Sequence, residues 1–479
     1  MTNLNYTIAA ALIATCGVCE AKQKQPNVIL VMCDDLGWGD VGFNGNTIIQ
    51  TPHIDNMASN GVIFNRFYTA CAVSSPTRAS VLTGRNPYRM GVFNANVGIL
   101  RPEEITIPEL LKEEGYATGH FGKWHLGTLT ASERDANRGK VGNERELNLP
   151  RDHGYDAAFV TESKVPTWDP MITPVNNKSK NGWNAIAEGE ASKPYGTHYW
   201  DIDGNKVSDN LEGDDSRVIM DRVLPFIKQS SDANTPFLSV VWFHTPHKPC
   251  VAGAEYAKMY SEYSEDFMNY AGCITAMDDQ MGRLLAFLEE NDLADDTIIF
   301  FCSDNGPENG EGVTGGFRER KRSLYEGGVR VPSFVYWGKN IKKPLRTDYP
   351  TVTCDYLPTI ASLVGVDPAK CEYELDGIDI TRVIQGKEKG ERNTPIVLAY
   401  NGQVAYYGDT YKLYTKWDKH EFYNIVEDPY EKNPLTVCPD GDAKSQCMYS
   451  IFERYRLSFE GEEYGQASFN KLQQSWPNK

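Results

Sequence analysis

Residues 71–85 read CAVSSPTRASVLTGR, a stretch with the start and stop signals of a short helix. Ser75 is a natural N-cap residue, and Gly84 suits the position just after the C-terminus. We therefore predict a helix that begins beside Ser74. Backbone N–H groups and the helix dipole attract anions at such a start. Arg78 lies one turn further along and would point back toward it, so the stretch predicts an anion site.

Outward from this stretch, short β-rich runs alternate with helical patterns. The β-rich runs are Asn27–Cys33, Phe237–Phe243, Thr297–Cys302, Ser333–Trp337 and Pro395–Tyr400. The helical patterns are Ile105–Glu114, Asp214–Lys228, Phe267–Glu290 and Tyr356–Leu363. This alternation predicts an α/β fold with a large, mostly parallel sheet sandwiched by helices.

Composition divides the chain into segments. Residues 25–385 carry the alternating pattern and are expected to form the main α/β domain. Within them, residues 129–213 are polar and dotted with Trp and Tyr, which predicts an insertion on the substrate side of the sheet. From residue 386 to 479 helical patterns fade and Tyr-rich strands follow, so we expect a smaller C-terminal α+β domain.

The N-terminus has the character of an export signal, which we assign to residues 1–21. Ile8–Thr15 is apolar but too short to span a bilayer, and no later segment is long and apolar enough to do so. Cys16 could be lipidated, or the signal could be cleaved before Lys22. Both alternatives predict an exported bacterial protein, either periplasmic or a cell-surface lipoprotein.

Charge narrows the possible partners. The chain has 48 basic and 65 acidic residues, a formal net charge of −17. Such a balance disfavours nucleic acid and anionic membranes, because few phosphate contacts would release counterions. An anionic substrate would have to be attracted by a local cationic pocket.

Polar residues follow three of the predicted strands. Asp34 and Asp35 come after the first, His244 and His247 after the second, and the Ser303–Gly306 stretch after the third. A single such ending is ordinary turn chemistry. Because the carboxyl ends of parallel strands share one edge of a sheet, three endings together favour a functional site.

Several of these residues belong to a wider resemblance. The run Ser74-x-Pro76-x-Arg78-x-x-x-Leu82-Thr83-Gly84-Arg85 resembles the signature of the type I, formylglycine-dependent sulfatases of the alkaline phosphatase superfamily. Further pieces in that family's order are Asp34-Asp35-Leu-Gly-Trp-Gly-Asp40, Thr51-Pro-His-Ile-Asp55, Gly122-Lys123-Trp124-His125-Leu-Gly127, His244-x-Pro-His247-x-Pro249, Ser303-Asp304-Asn305-Gly306, Lys321-x-x-x-Tyr325-Glu326-Gly-Gly-Val-Arg330-Val-Pro332 and Tyr423-Asn-x-x-x-Asp428-Pro429-x-Glu431. The resemblance runs from about residue 26 to 435.

The resemblance implies that Ser74 is oxidised to formylglycine (3-oxoalanine) by a radical maturase of the Ser-type bacterial system. Cys71 lies nearby but at the wrong spacing from Arg78. The chemistry explains the need for an aldehyde. An ordinary serine would be left as a stable sulfate ester, whereas a hydrated aldehyde can expel sulfate when its second hydroxyl is deprotonated.

The same resemblance implies roles for the other site residues. Oxygen ligands suited to Ca²⁺ would come from Asp34, Asp35, Ser74, Asp304 and Asn305. Sulfate would be held by Arg78, Lys123 and Lys321. His125 resembles the family's base, His247 resembles its acid and also contacts substrate, and His244 is a weaker candidate for substrate binding.

The expected function is hydrolysis of sulfate esters on a carbohydrate, with the aromatic residues of 129–213 as a platform for the sugar. One alternative is a phosphonate or phosphate ester hydrolase of the same superfamily. Another is a sulfated-glycan-binding protein without activity, if Ser74 stays unmodified. The sequence does not identify the sugar or the sulfate position.

Overall fold

A ten-stranded mixed sheet forms the centre of the described part of the chain. The computed structural model describes residues 25–371, 373–416 and 419–435. The strands are β1 Asn27–Cys33, β2 Val62–Phe64, β3 Phe67–Tyr68, β4 Ala117–Lys123, β5 Ala157–Thr161, β6 Ile172–Pro174, β7 Ser192–Pro194, β8 Tyr199–Asp201, β9 Lys206–Val207, β10 Phe237–Trp242, β11 Thr297–Ser303, β12 Phe334–Tyr336, β13 Leu345–Thr347, β14 Thr351–Val352, β15 Ile396–Tyr400, β16 Gln403–Tyr407, β17 Tyr411–Lys416 and β18 Lys419–Asn424. The predicted signal segment and Cys16 lie outside the described residues, as does the C-terminal domain beyond residue 435.

The strand order of the large sheet is β13-β2-β12-β11-β1-β10-β4-β5-β8-β9. Its centre, β11-β1-β10-β4-β5, is parallel throughout. Antiparallel pairings occur where β12 meets β11 and β2, and where β8 meets β5 and β9. The predicted α/β class with a mostly parallel sheet is therefore confirmed.

Helices cover both faces of this sheet because its central strands are apolar on both sides. In β1, Val28, Leu30 and Met32 join one core cluster, while Ile29 and Val31 join the other. Side chains of a strand alternate between its faces, so one continuous apolar run supplies two cores. The helices are α1 Pro52–Ser59, α2 Ser74–Thr83, α3 Ile107–Glu113, α4 Asp215–Asp232, α5 Ala254–Met259, α6 Glu265–Glu290, α7 Glu326–Val329, α8 Tyr356–Val364 and α9 Thr381–Ile384.

Helix α2 begins two residues earlier than an N-cap at Ser75 predicts, at Ser74 instead of Pro76. Val73, in extended backbone, is its N-cap residue, and Ser75 lies inside the first turn. The prediction of Ser75 as the N-cap was therefore wrong. The end was predicted correctly, since Gly84 adopts left-handed backbone (φ 69°) directly after Thr83.

The stretch 129–213 contributes to the sheet itself. It contains β5, which pairs with β4, and then β8 and β9, which extend the same edge. The predicted insertion thus includes three strands of the main sheet. Within the described ranges, no helix has the length and apolar composition needed to cross a membrane.

Strands β15–β18 form a separate antiparallel sheet of four strands. It packs on the segment before α2 and on the loop that contains Lys321. Gln403 accepts a hydrogen bond from Leu324 N (3.0 Å) and donates one to Arg322 O (3.0 Å). Buried Lys412 bonds Leu324 O (2.8 Å) and pairs with Glu431 (2.6 Å). The small sheet therefore holds both ends of the turn that follows Lys321.

Gly122 lies in β4 next to Lys123 and pairs with Trp242 of β10. It has φ +100°, and a Cβ there would lie 2.0 Å from the carbonyl oxygen of Trp242. We expect Gly122→Ala to lower the free energy of unfolding by about 2–5 kcal/mol, from left-handed strain and steric overlap combined. Urea denaturation measures this loss.

Gly115→Ala is the matched control for this variant. Gly115 has φ +86° but open space where a Cβ would be placed. It should therefore show only the conformational penalty, about 1–2 kcal/mol. Equal losses in the two variants would contradict the proposed overlap at Gly122.

Candidate active site

Strand ends bring oxygen-bearing side chains together at one edge of the sheet. Asp34 and Asp35 follow β1, Asp304 and Asn305 follow β11, and Lys123 is the last residue of β4. Asp304 Oδ1 accepts a hydrogen bond from Asp35 N (3.1 Å), and Asn305 Nδ2 donates to Asp35 Oδ1 (2.6 Å). Neighbouring parallel strands thus deliver the residues as strand-end reasoning predicted.

Ser74 joins this group from the start of α2. Its side chain is 2% exposed. The hydroxyl donates to Asp34 Oδ1 (3.3 Å) and lies 3.5 Å from Asn305 Oδ1. All five residues proposed to bind metal are therefore close together and buried.

Three buried cations oppose the three carboxylates of the site. Lys123 Nζ lies 2.5 Å from Asp34. Arg78 lies 2.9 Å from Asp304. The third pair, Lys321 with Asp35, is also 2.5 Å apart. We call these six side chains the inner cluster; its formal charges cancel.

The three carboxylates of the inner cluster lie so close together that their negative charges repel one another. Burial, together with the charge of Asp34, raises the pKa of Asp304 to about 7. At Asp34 burial acts in the same direction, but Lys123 and other nearby cations outweigh it and hold the pKa well below its usual range. Oxygen acceptors from Asp34 and Asn305 both face the single hydroxyl of Ser74. A hard divalent cation fits such a donor set.

His125 is held through one ring nitrogen. Its Nε2 lies 3.0 Å from Asn96 Oδ1, so that nitrogen carries the proton. The buried Nδ1 has no hydrogen-bond partner among the described residues. Burial, reinforced by the charge of Lys123, keeps the pKa of His125 well below 6.5. The ring is therefore neutral at pH 7 and has a free lone pair.

His247 approaches the cluster from the loop after β10. Its Nδ1 donates to Lys248 O (2.7 Å), and its Nε2 lies 3.7 Å from Asp35. Asp34, Asp35 and His247 offer ligand atoms within 4.8 Å of one another. Burial lowers the pKa of His247 to about 4, so the ring is neutral before any anion binds.

His244 lies outside the pocket described below. Its Nδ1 is 2.8 Å from Asp215, and its Nε2 is 2.7 Å from Thr161. The side chain is fully buried, and both ring nitrogens are used. The prediction that His244 contacts substrate is therefore not supported; it ties β10, β5 and the start of α4 together.

A cavity of about 450 Å³ opens over Ser74. Among the predicted residues it is lined by Asp35, Ser74, Lys123, His125, His247 and Lys321. Sequence reasoning missed Asn96, Asn137, Ser163 and Lys164, which also line it. A signal for the last two existed, since they follow β5 as Asp34 follows β1. It was overlooked because residues 129–213 were interpreted as an insertion.

The aromatic platform predicted for residues 129–213 is not found in this cavity. Among the described residues that line it, none is Trp, Tyr or Phe. Trp200 is buried and donates to Asp135 (3.0 Å), while Tyr199 stacks on Phe159 (4.0 Å between centroids). These rings pack the sheet edge, and the cavity walls are amides and cations.

Comparison with known proteins agrees with this geometry. Residues 26–366 match the family model described as Sulfatase. The chain is 28% identical to N-acetylgalactosamine-6-sulfatase of Canis lupus familiaris, over 92% of this chain and 83% of that protein. It is 30% identical to steryl-sulfatase of Homo sapiens, over 75% of this chain and 70% of that protein. The crystal structure of Ps i-CgsB in complex with k-i-k-neocarrahexaose superposes with a TM-score of 0.74 at 27% identity, covering 95% of each chain.

Proposed function

Because the chain belongs to the sulfatase family, we propose that it hydrolyses sulfate esters of carbohydrates through a formylglycine at position 74 and a bound calcium ion. The observation that carries this proposal is the position of Ser74, at a buried helix start against three carboxylates that three cations neutralise. A saccharide substrate is supported by the similarity to N-acetylgalactosamine-6-sulfatase and by a similar structure that was solved with an oligosaccharide.

The oxygen ligands would come from Asp34, Asp35, Asp304, Asn305 and residue 74. When bound, the ion supplies positive charge beside the sulfate oxygens, and formylglycine supplies the nucleophilic hydroxyl together with a second one for release. Calcium suits an all-oxygen, largely carboxylate site better than zinc does. The carboxylate crowding at Asp304 supports a cation here.

The chain's own cations would stabilise the sulfate as charge develops. Arg78, Lys123 and Lys321 are already fixed by ion pairs with carboxylates, so little reorganisation is needed when an anion enters. Arg78 is further held 5.0 Å from the ring centroid of Trp242. Each well-placed donor of this kind contributes about 3–4 kcal/mol to transition-state stabilisation.

Two histidines would move the protons. His125 would accept one on Nδ1, the nitrogen without a partner among the described residues. His247 would give one from Nε2 to the leaving sugar oxygen. Since its pKa is about 4 without substrate, this role requires the incoming sulfate charge to favour the protonated ring.

Asn96 is expected to set the tautomer of His125. Replacing it with glycine removes the Nε2 partner while suiting the left-handed backbone there (φ 59°). We expect kcat to fall about 10- to 100-fold with an unchanged melting temperature, as for other groups that orient a working histidine. Asn234→Gly is the control, because Asn234 is exposed and also left-handed (φ 52°). Equal kcat in the two variants would refute the role of Asn96.

Two measurements test the proposed function. Mass spectrometry of the Ser74 peptide should show a residue lighter than serine by one hydrogen molecule. The oxidised protein, supplied with Ca²⁺, should then release sulfate from at least one member of a panel of sulfated mono- and disaccharides. Cleavage of phosphonate or phosphate esters alone would favour the other hydrolase, and binding without turnover by unmodified protein would favour a glycan-binding protein.

The same proposal implies an exported protein with a separate maturase. A Ser-type motif requires a radical enzyme to oxidise Ser74. Export would place the chain in the periplasm or, if Cys16 is lipidated, on the cell surface. Both steps follow from sequence features and are tested by the mass of the mature protein and by cell fractionation.

A further inference from the structure

The inner cluster leaves no cationic surplus of its own. Its three carboxylates, from Asp34, Asp35 and Asp304, are each paired with one cation at 2.5–2.9 Å. Any further positive charge along the cavity is therefore additional to the sulfate site. In a chain of net charge −17, such a surplus calls for a reason.

Four more cations line the same cavity, namely Lys164, Lys180, Lys248 and Arg322. Only Glu308 offsets them among the described lining residues outside the inner cluster, and it is paired with Arg322 (2.6 Å). Lys248 bonds two neutral oxygens, Asn181 Oδ1 (2.7 Å) and Asn309 O (2.6 Å), so its charge is not compensated.

Lys164 stands out among these cations. It is only partly exposed and follows β5 at the rim of the cavity. Across residues 25–371, 373–416 and 419–435, no hydrogen bond or ion pair to its ammonium group is found. Burial, together with the like charge of Lys321, lowers its pKa. A partly desolvated cation without a partner is unfavourable unless a ligand supplies the opposite charge.

We propose that Lys164 binds a second anionic group of the saccharide, a sulfate or a carboxylate, so that the preferred substrate carries at least one negative charge beyond the scissile sulfate. This inference rests on the proposed function. Lys248 contributes to the same potential from the loop after β10. Lys164 is thus a specificity-determining residue that the hydrolysis step itself does not require.

Paired substrates test this assignment. Each pair shares one scissile sulfate and differs by one further anion: a disaccharide whose only charge is the scissile sulfate is compared with its disulfated counterpart, and with one that also contains a uronic acid. We expect Lys164→Gln to lower kcat/KM on the more anionic member by about 10-fold or more, the usual size of a hydrogen bond between charged groups. On the member that carries only the scissile sulfate the change should stay below about 2-fold. Lys164→Arg should restore the preference in part.

Lys178→Gln is the matched control, since Lys178 is exposed and does not line the cavity. The disulfated disaccharide and the one with a uronic acid distinguish the two possible ligand groups. A preference for only one of these compounds identifies sulfate or carboxylate as the group that Lys164 binds. Equal loss on both members of a pair, or no preference in the wild type, would overturn the assignment.

Calorimetry of binding with the same disaccharides tests the Lys164 subsite without requiring turnover. If Lys164→Gln weakens binding of the more anionic member and the control variant does not, the subsite is supported. This holds even if no sulfate is released and the proposed function fails. Binding that does not depend on Lys164 rejects the subsite whatever the activity.

Discussion

A Ser74→Ala variant is expected to release sulfate at least about 10,000-fold more slowly than the wild type, because the nucleophile is lost while the binding residues remain. The variant should still fold, since the Ser74 hydroxyl makes only long contacts, at 3.3 and 3.5 Å. Sulfate release by ion chromatography and thermal melting together measure both parts.

The neighbouring hydroxyl provides the control. Ser75→Ala removes the same group one residue along, where its only hydrogen bond within the described ranges is a long one (3.5 Å) from Asn96 N. Activity close to that of the wild type is expected, with Ser74 oxidised as before. Substantial activity in Ser74→Ala would instead place the nucleophile elsewhere and refute the formylglycine proposal.

Removal of divalent ions is expected to have the second largest effect. In the presence of a chelator, sulfate release should fall at least about 100-fold, because a site without its metal ion no longer stabilises the charge that develops on the substrate. Stability should fall as well. An ion present at about 100 times its dissociation constant stabilises the folded state by about 2.7 kcal/mol. Added Ca²⁺ should restore both quantities, and Mg²⁺ less so, because it requires stricter octahedral geometry.

Asp304→Asn links this effect to the inner cluster. The substitution removes one carboxylate ligand while keeping the shape of the side chain, so the Ca²⁺-dependent rise in melting temperature should shrink or vanish. Glu188→Gln is a suitable control, being an exposed carboxylate outside the site. An unchanged Ca²⁺ response in Asp304→Asn, or full activity in the chelator, would contradict a metal at this position.

Local signals predicted much of the fold. The run Asn27–Cys33 was predicted with its observed ends, because a fully buried parallel strand is apolar throughout. The stop at Gly84 was found because left-handed backbone favours glycine. The start of α2 was missed by two residues, since Val73 lacks the capping side chain that marks most helix starts.

Sequence reasoning named the clustered residues that lie at strand ends or in a family motif, and it missed those whose position depends on long-range contacts. The contact of His125 with Asn96 joins two loops that neither residue's neighbours specify. His244 shows the converse: its position after β10 suggested the substrate, yet Asp215 and Thr161 use both its nitrogens. Pairing of this kind depends on tertiary packing, which sequence patterns do not encode directly.

The small antiparallel sheet has a consequence for engineering. Gln403 and Lys412 form hydrogen bonds with the backbone of Arg322 and Leu324, directly after Lys321. In a hybrid of this chain and a relative, the small sheet and the turn after Lys321 would therefore have to come from the same parent. Directed evolution toward new saccharides has a matching opportunity, since mutations in β16 and β17 can shift the backbone beside Lys321 without changing a residue that lines the cavity.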